Sequence, residues 1–300
     1  MKKSINSKTS KNIKSVYKKL SSKMQIKYLL IPVSLIFILS SCLNKNTNKT
    51  SSKNYKQKKS SIPTLYIHGY KGTENSFGKM INRFEEGNIS KKELVLKINK
   101  DGEIIARGKL TNKNTNPAIQ ILFEDNKNNE YKQATWIKNI LAYLKDKYNI
   151  EKVNLVGHSM GGVSILQYLI TYEKDENLPK VEKFVAIGSP FNNLIELSEE
   201  ETLDSLINNG PLVKSKGYID FENNISNINP NINILIIAGD VEDGSLGDEA
   251  VPMADALSII SLLKNNNISV DYKKYYGKNA QHSKLHENKD VDKKIIEFLY

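Results

Sequence analysis

Ser159 lies in the pentapeptide Gly157-His158-Ser159-Met160-Gly161, directly behind the apolar run Val153-Asn154-Leu155-Val156. The pattern is G-x-S-x-G, extended by Gly162. Between a strand and a helix it describes a sharp turn that exposes a serine as a nucleophile. Such a turn strains the serine backbone and tolerates only small neighbours, which Gly157 and Gly161 supply. A serine hydroxyl is a poor nucleophile at neutral pH, so it needs a base, and the base needs an orienting partner. The chain has 4 histidines. His158 is inside the turn itself, and His68 belongs to the His68-Gly69 turn after the first strand, where it shapes the loop. His282 and His286 remain, in Gln281-His282-Ser283-Lys284-Leu285-His286-Glu287-Asn288. One recurring chain order of such triads is serine, acid, histidine, and it puts the base in this segment. His282 is favoured because it follows the last strand more closely; His286 is the alternative.

The acid is expected after the strand that ends at Ala238, in the loop Asp240 to Pro252. Asp248 is favoured, because Asp248-x-x-Val251-Pro252 resembles a hydrolase pattern in which the acid stands three residues before Val-Pro. Asp243 and Asp240 are the runners-up, and the surplus acids are those of a solvated loop. Their oxygens are dense enough to raise the question of calcium, but the spacing matches no standard calcium loop. An oxyanion needs two backbone N–H donors. Met160, directly after the serine, supplies one; Tyr70, in His68-Gly69-Tyr70, is the candidate for the other. The chemistry needs no cofactor, and no glycine-rich phosphate loop or zinc-ligand set occurs.

These residues must be carried by elements. Pro63 to Ile67 is a short strand, and Phe77 to Phe84 is helical. Glu93 to Asn99 and Glu103 to Leu110 flank the hairpin signal Lys100-Asp101-Gly102. Ala118 to Phe123 is a strand; Thr135 to Tyr148 has helical spacing, with Trp136, Ile140, Leu141 and Leu144 on one side. Phe184 to Ile187, Ile232 to Ala238 and Ile268 to Tyr276 are strands, while Leu257 to Leu263 and Val291 to Leu299 lie in helices. The alternation predicts an α/β fold, a mostly parallel central sheet with helices on both faces and an antiparallel hairpin near its start. Residues 191–230 break the rhythm, as a lid or cap over the site or as a surface insertion.

The net charge of +11 is uneven. Residues 1–60 hold 15 lysines and no acid, which leaves 29 basic against 33 acidic residues over 61–300. The folded part is therefore slightly acidic, and nucleic acid is not an expected partner. Tyr28 to Leu39 is apolar, preceded by lysines and too short for a comfortable membrane span. It runs into Leu39-Ser40-Ser41-Cys42, which resembles the bacterial lipobox. That likeness implies cleavage before Cys42, the only cysteine, and a diacylglycerol on its thiol. Two acyl chains make a stable anchor. The expected division is a signal peptide over 1–41, a lipidated and flexible tether over 42–61, and a folded domain over 62–300. The leader is long, and a start at Met24 instead of Met1 gives it ordinary length.

Taken together, these segments resemble the α/β-hydrolases of the lipase/esterase type. More narrowly, the chain resembles a Gram-positive group of α/β hydrolases labelled cell surface hydrolases. The likeness rests on Ile67-His68-Gly69-Tyr70-Lys71-Gly72-Thr73, the Ser159 elbow, Gly188-Ser189-Pro190-Phe191, the Asp243-to-Pro252 loop and the His282–Asn288 segment. It implies an α/β-hydrolase sheet and a Ser-Asp-His triad of Ser159, Asp248 and His282. The expected activity is hydrolysis of a carboxylic ester, small or lipid-like, by a membrane-anchored extracytoplasmic enzyme; thioesters and amides use the same machinery. The competing expectation is an inactive surface-binding or lipid-binding lipoprotein on the same fold. Oligomeric state is not legible.

Overall fold

The computed structural model describes residues 59–300; the expected leader over 1–41, Cys42 and the tether as far as residue 58 lie outside the described residues. Among the described residues, the ones just before Ile62 already bond to the folded part. The Lys59 ammonium donates to the Asn88 carbonyl at 2.6 Å, and the Ser60 N–H donates to Asn116 Oδ1 at 2.7 Å.

Eight strands form one sheet in the order β3-β2-β4-β1-β5-β6-β7-β8. They are β1 (Thr64–Ile67), β2 (Lys91–Ile98), β3 (Ile104–Gly108), β4 (Pro117–Phe123), β5 (Lys152–His158), β6 (Lys180–Ile187), β7 (Asn233–Asp240) and β8 (Ser269–Tyr276). Only β3 runs antiparallel, through the expected hairpin with β2. In the middle strands successive apolar side chains point to opposite faces, as the pleat requires. Leu65 and Ile67 of β1 enter one core and Tyr66 the other; in β7, Ile234 and Ile236 face one way and Leu235 and Ile237 the opposite. Helices α1 (Glu74–Glu86) and α9 (Lys289–Leu299) cover one face with Phe77, Met80, Ile81, Val291 and Ile295. Helices α2 (Glu130–Tyr148) and α3 (Met160–Tyr172) cover the other with Trp136, Ile140, Leu141, Leu166 and Leu169.

Several boundaries differ from expectation for local reasons. Helix α1 begins before Phe77 because Thr73 and Ser76 form a reciprocal capping box. Asn129 caps α2 by accepting the Lys132 N–H, adding a polar first turn that carries no apolar periodicity. The helix expected over Leu257–Leu263 is two pieces, α6 (Met253–Leu257) and α7 (Ile260–Asn265). The break falls at Ser258, whose hydroxyl donates to the Asp255 carbonyl at 2.7 Å.

Residues 191–230 contain α4 (Leu203–Asn209), α5 (Lys216–Asn224) and the 3-10 turn Ile225–Asn227. Leu206, Ile207, Tyr218, Phe221 and Ile225 join this core, α5 and the 3-10 turn packing on α3, and α4 on α6 and α7. The segment is therefore an integral cap, not surface decoration. No helix among the described residues is long and apolar enough to cross a membrane.

Candidate active site

Because β1, β5, β6, β7 and β8 run parallel, their C-terminal ends and following loops share one edge of the sheet. The first of these loops to matter follows β5. Ser159 has φ 55° and ψ −131°, the left-handed side where a non-glycine residue is strained. The surroundings hold it there. Its N–H donates to the Ile187 carbonyl at 2.8 Å, and its carbonyl accepts from the Gly162 N–H at 3.0 Å. A Cβ on Gly157 would fall 2.5 Å from the Gly162 nitrogen, which is why small residues flank the serine.

His282 opens the four-residue helix α8 (His282–Leu285). Its backbone N–H donates to the Asp248 carbonyl at 2.8 Å, and its Nδ1 lies 2.8 Å from Asp248 Oδ2. Asp248 is 1% exposed. Its other oxygen, Oδ1, accepts from Val251 N–H at 2.7 Å and Ala250 N–H at 3.0 Å. The Val251-Pro252 signature thus has a physical meaning: the turn it makes folds two amides back on the carboxylate. A carboxylate beside Nδ1 puts the imidazole proton on that nitrogen and leaves the Nε2 lone pair free. Ser159 and His282 line the same cavity, and no hydrogen bond joins them in this structure. Gly188, at φ 55°, sits directly behind the pair. A Cβ there would come 2.9 Å from Asp248 Oδ2 and 3.3 Å from His282 Nδ1.

The alternatives are not brought to this point. Asp240 accepts the Glu242 N–H at 2.8 Å and Asp243 the Ser245 N–H at 2.9 Å, so both shape turns of their own loop. Hydrogen bonds from Ser245 hold the Asp243 carboxyl below its ordinary pKa. Among the described residues no group of three or more His, Cys, Asp or Glu side chains is arranged to hold a metal ion. His286 is buried against Phe77 and His158, with ring centroids 5.9 and 4.7 Å away. Its Nδ1 lies 3.4 Å from Glu287 Oε1 without hydrogen-bond geometry, and burial lowers its pKa. His158 donates from Nε2 to the His282 carbonyl at 3.0 Å, and burial pushes its pKa well below the usual value. It is a neutral brace under His282. His68 accepts the Phe123 N–H on Nε2 at 3.1 Å and donates from Nδ1 to the Gly69 carbonyl at 2.8 Å. Burial lowers its pKa too, so it stays neutral and fixes the loop.

That loop lies against the elbow. A Cβ on Gly69 would be 2.8 Å from Ser159 Cβ and 3.3 Å from the Met160 nitrogen. Neither the Tyr70 nor the Met160 N–H has an acceptor among the described residues. The Tyr70 side chain is 53% exposed and lines the cavity mouth. The cavity measures about 650 Å³ and is walled by α3, the first turn of α2 and the cap, including Val163, Phe191, Leu194 and Phe221.

A family model described as an α/β hydrolase of unknown function (DUF915) matches residues 50–300. The chain belongs to that family of α/β hydrolases. The product of gene lin2722 of Listeria innocua is 29% identical with a TM-score of 0.73, over 79% of this chain and 93% of that one. A Lactobacillus plantarum WCFS1 protein labelled a cell surface hydrolase is 20% identical with a TM-score of 0.60, over 78% of this chain and 88% of that one, a likeness of fold. No curated protein matches the sequence.

In this α/β hydrolase the cap is pinned by residues with no local signature. Asp255, in α6, is buried and accepts the Asn192 N–H at 2.6 Å. Asn192 in turn donates to the Val213 carbonyl and accepts the Ser215 N–H, both at 2.8 Å. The acid is thereby tied, through one asparagine, to the start of α5 at the cavity wall. Burial raises the Asp255 pKa to about 7. The partners are far apart in the chain, and only the fold makes them neighbours.

Proposed function

We propose that the protein is a serine hydrolase of carboxylic esters, held outside the cytoplasm by a lipid on Cys42. The observation that carries the enzymatic part is the arrangement around one cavity: a strained serine at a helix start, and a histidine whose far nitrogen is fixed by a buried carboxylate. Ser159 Oγ attacks the ester carbonyl while His282 Nε2 takes its proton. Asp248 keeps the imidazole in the required tautomer and stabilises the imidazolium. The Tyr70 and Met160 amides receive the oxyanion. The protonated His282 then gives its proton to the departing alcohol, leaving an acyl group on Ser159. Water, activated by the same histidine, releases the acid. The anchor is supported by the Cys42 signal in the sequence, and the location outside the cytoplasm by the cell-surface label of the Lactobacillus protein of similar fold.

Treatment with a fluorophosphonate, followed by mass spectrometry of the adduct, tests the chemistry. The expected result is a stoichiometric adduct on Ser159, absent in Ser159→Ala and weak in His282→Ala. A folded protein that takes no label points instead to an inactive binding lipoprotein.

A further inference from the structure

The wall of the cavity formed by α3 is apolar except at one place. Met160, Val163 and Gln167 line it, at the 3- and 4-residue spacing that puts side chains on one stripe of a helix. Gln167 is 7% exposed and stands eight residues beyond Ser159, a rise of about 12 Å along the helix. Its amide is oriented by Thr171. The Thr171 hydroxyl spends its single proton on the Gln167 backbone carbonyl at 2.7 Å. It can therefore only accept from the side-chain amide, and Gln167 Nε2 donates to it at 3.2 Å. This leaves Gln167 Oε1 as an acceptor with no donor among the described residues, in a cavity lined by Val163, Phe191 and Phe221 and also by the polar Glu130, Ser215 and Lys216. The oxygen is reached from the cavity, so a substrate donor that meets it gains one hydrogen bond.

We propose that Gln167 Oε1 is a specificity subsite for the acyl part of the substrate, recognising a hydrogen-bond donor at the far end of the chain. The substrate class is an ester whose acyl group carries a hydroxyl or an amide N–H. The donor stands roughly eight to ten chain atoms beyond the carbonyl, at about 1.2 Å of extended reach per atom. The proposal rests on the serine-esterase reading, with the acyl chain laid along α3.

The test uses p-nitrophenyl esters in matched sets of increasing length, each plain, ω-hydroxy or ω-methoxy. Methoxy retains polarity and removes the donor. Wild type is expected to show kcat/KM five- to tenfold higher for the hydroxy ester than for the methoxy ester at one or two lengths, the effect of one hydrogen bond. Gln167→Leu brings that ratio to one or below. Thr171→Val, which lets the amide turn over, lowers it part of the way. The readout is a ratio within each variant, so a loss of folded protein does not imitate the result. Equal rates for hydroxy and methoxy esters at every length in wild type, or an unchanged ratio in Gln167→Leu, overturn the subsite. p-Nitrophenyl acetate is too short to reach Gln167 and reports on Ser159 alone. If wild type neither turns it over nor takes a fluorophosphonate, the esterase reading fails and the subsite falls with it.

Discussion

At the scale of single residues, the proposed chemistry depends on what the Asp248 carboxylate does for His282. Asp248→Asn keeps the shape but removes the charge, and the amide can present an N–H to Nδ1 and reverse the tautomer. Turnover of a short ester is expected to fall roughly a thousand- to ten-thousandfold, with thermal stability little changed. Steady-state kinetics beside a melting curve checks this; a loss of less than tenfold removes Asp248 from the mechanism. Gly188→Ala acts on the same pair from behind, since its Cβ would crowd Asp248 Oδ2 at 2.9 Å on a backbone at φ 55°. It is expected to lower both activity and melting temperature, by about 1 kcal/mol or more in stability. Legibility at this scale followed chain proximity. Ser159, Asp248 and His282 each stand in a short motif whose spacing is set by a local turn. Gly188 was visible as a segment of resemblance but not in its role, and Gln167 and Asp255 not at all. Their environments are made by elements distant in the chain.

At the scale of elements, sequence periodicity located every strand and most helices, because in this sheet buried and covering residues alternate with the geometric period. It missed what polar side chains decide: the capped starts of α1 and α2 and the stop at Ser258. Thr73→Ala is expected to cost about 1 kcal/mol by removing the N-cap acceptor of α1, read from chemical denaturation. The cap is tied to α6 through Asp255, which gives that link a pH dependence. Its carboxyl has an ordinary pKa of 3.8 and is raised to about 7 in the fold. The folded chain therefore holds the proton more tightly than the unfolded chain. This contribution is favourable at acid pH and is lost as pH rises from about 3.8 to about 7. Glu173, near the end of α3 and raised to about 7 by burial, adds with the same sign. Asp255→Asn keeps an acceptor for the Asn192 N–H and is expected to flatten the fall in melting temperature between pH 5 and pH 7, leaving the part due to Glu173. An unchanged slope excludes Asp255 as a source.

At the scale of the whole molecule, the division of charge is informative. Under the proposed anchoring, the tether that remains after cleavage before Cys42 carries lysines and no acid up to residue 60, a charge suited to an anionic membrane surface. Cys42→Ser in the producing cell is expected to move the protein from the membrane fraction to the soluble fraction and to abolish incorporation of labelled fatty acid. Retention in the membrane without label argues for an uncleaved apolar anchor. Within the folded part, the backbone of Ser159 has a consequence for global stability. At φ 55° and ψ −131° the fold asks for glycine and receives serine. Such a conformation costs on the order of 1–3 kcal/mol in a residue with a Cβ. Ser159→Ala keeps that cost and Ser159→Gly relieves it, so of two equally silent variants the glycine one should melt higher than both Ser159→Ala and the wild type. Robustness alone would favour glycine at position 159; the proposed nucleophile requires a serine there, at that cost in stability.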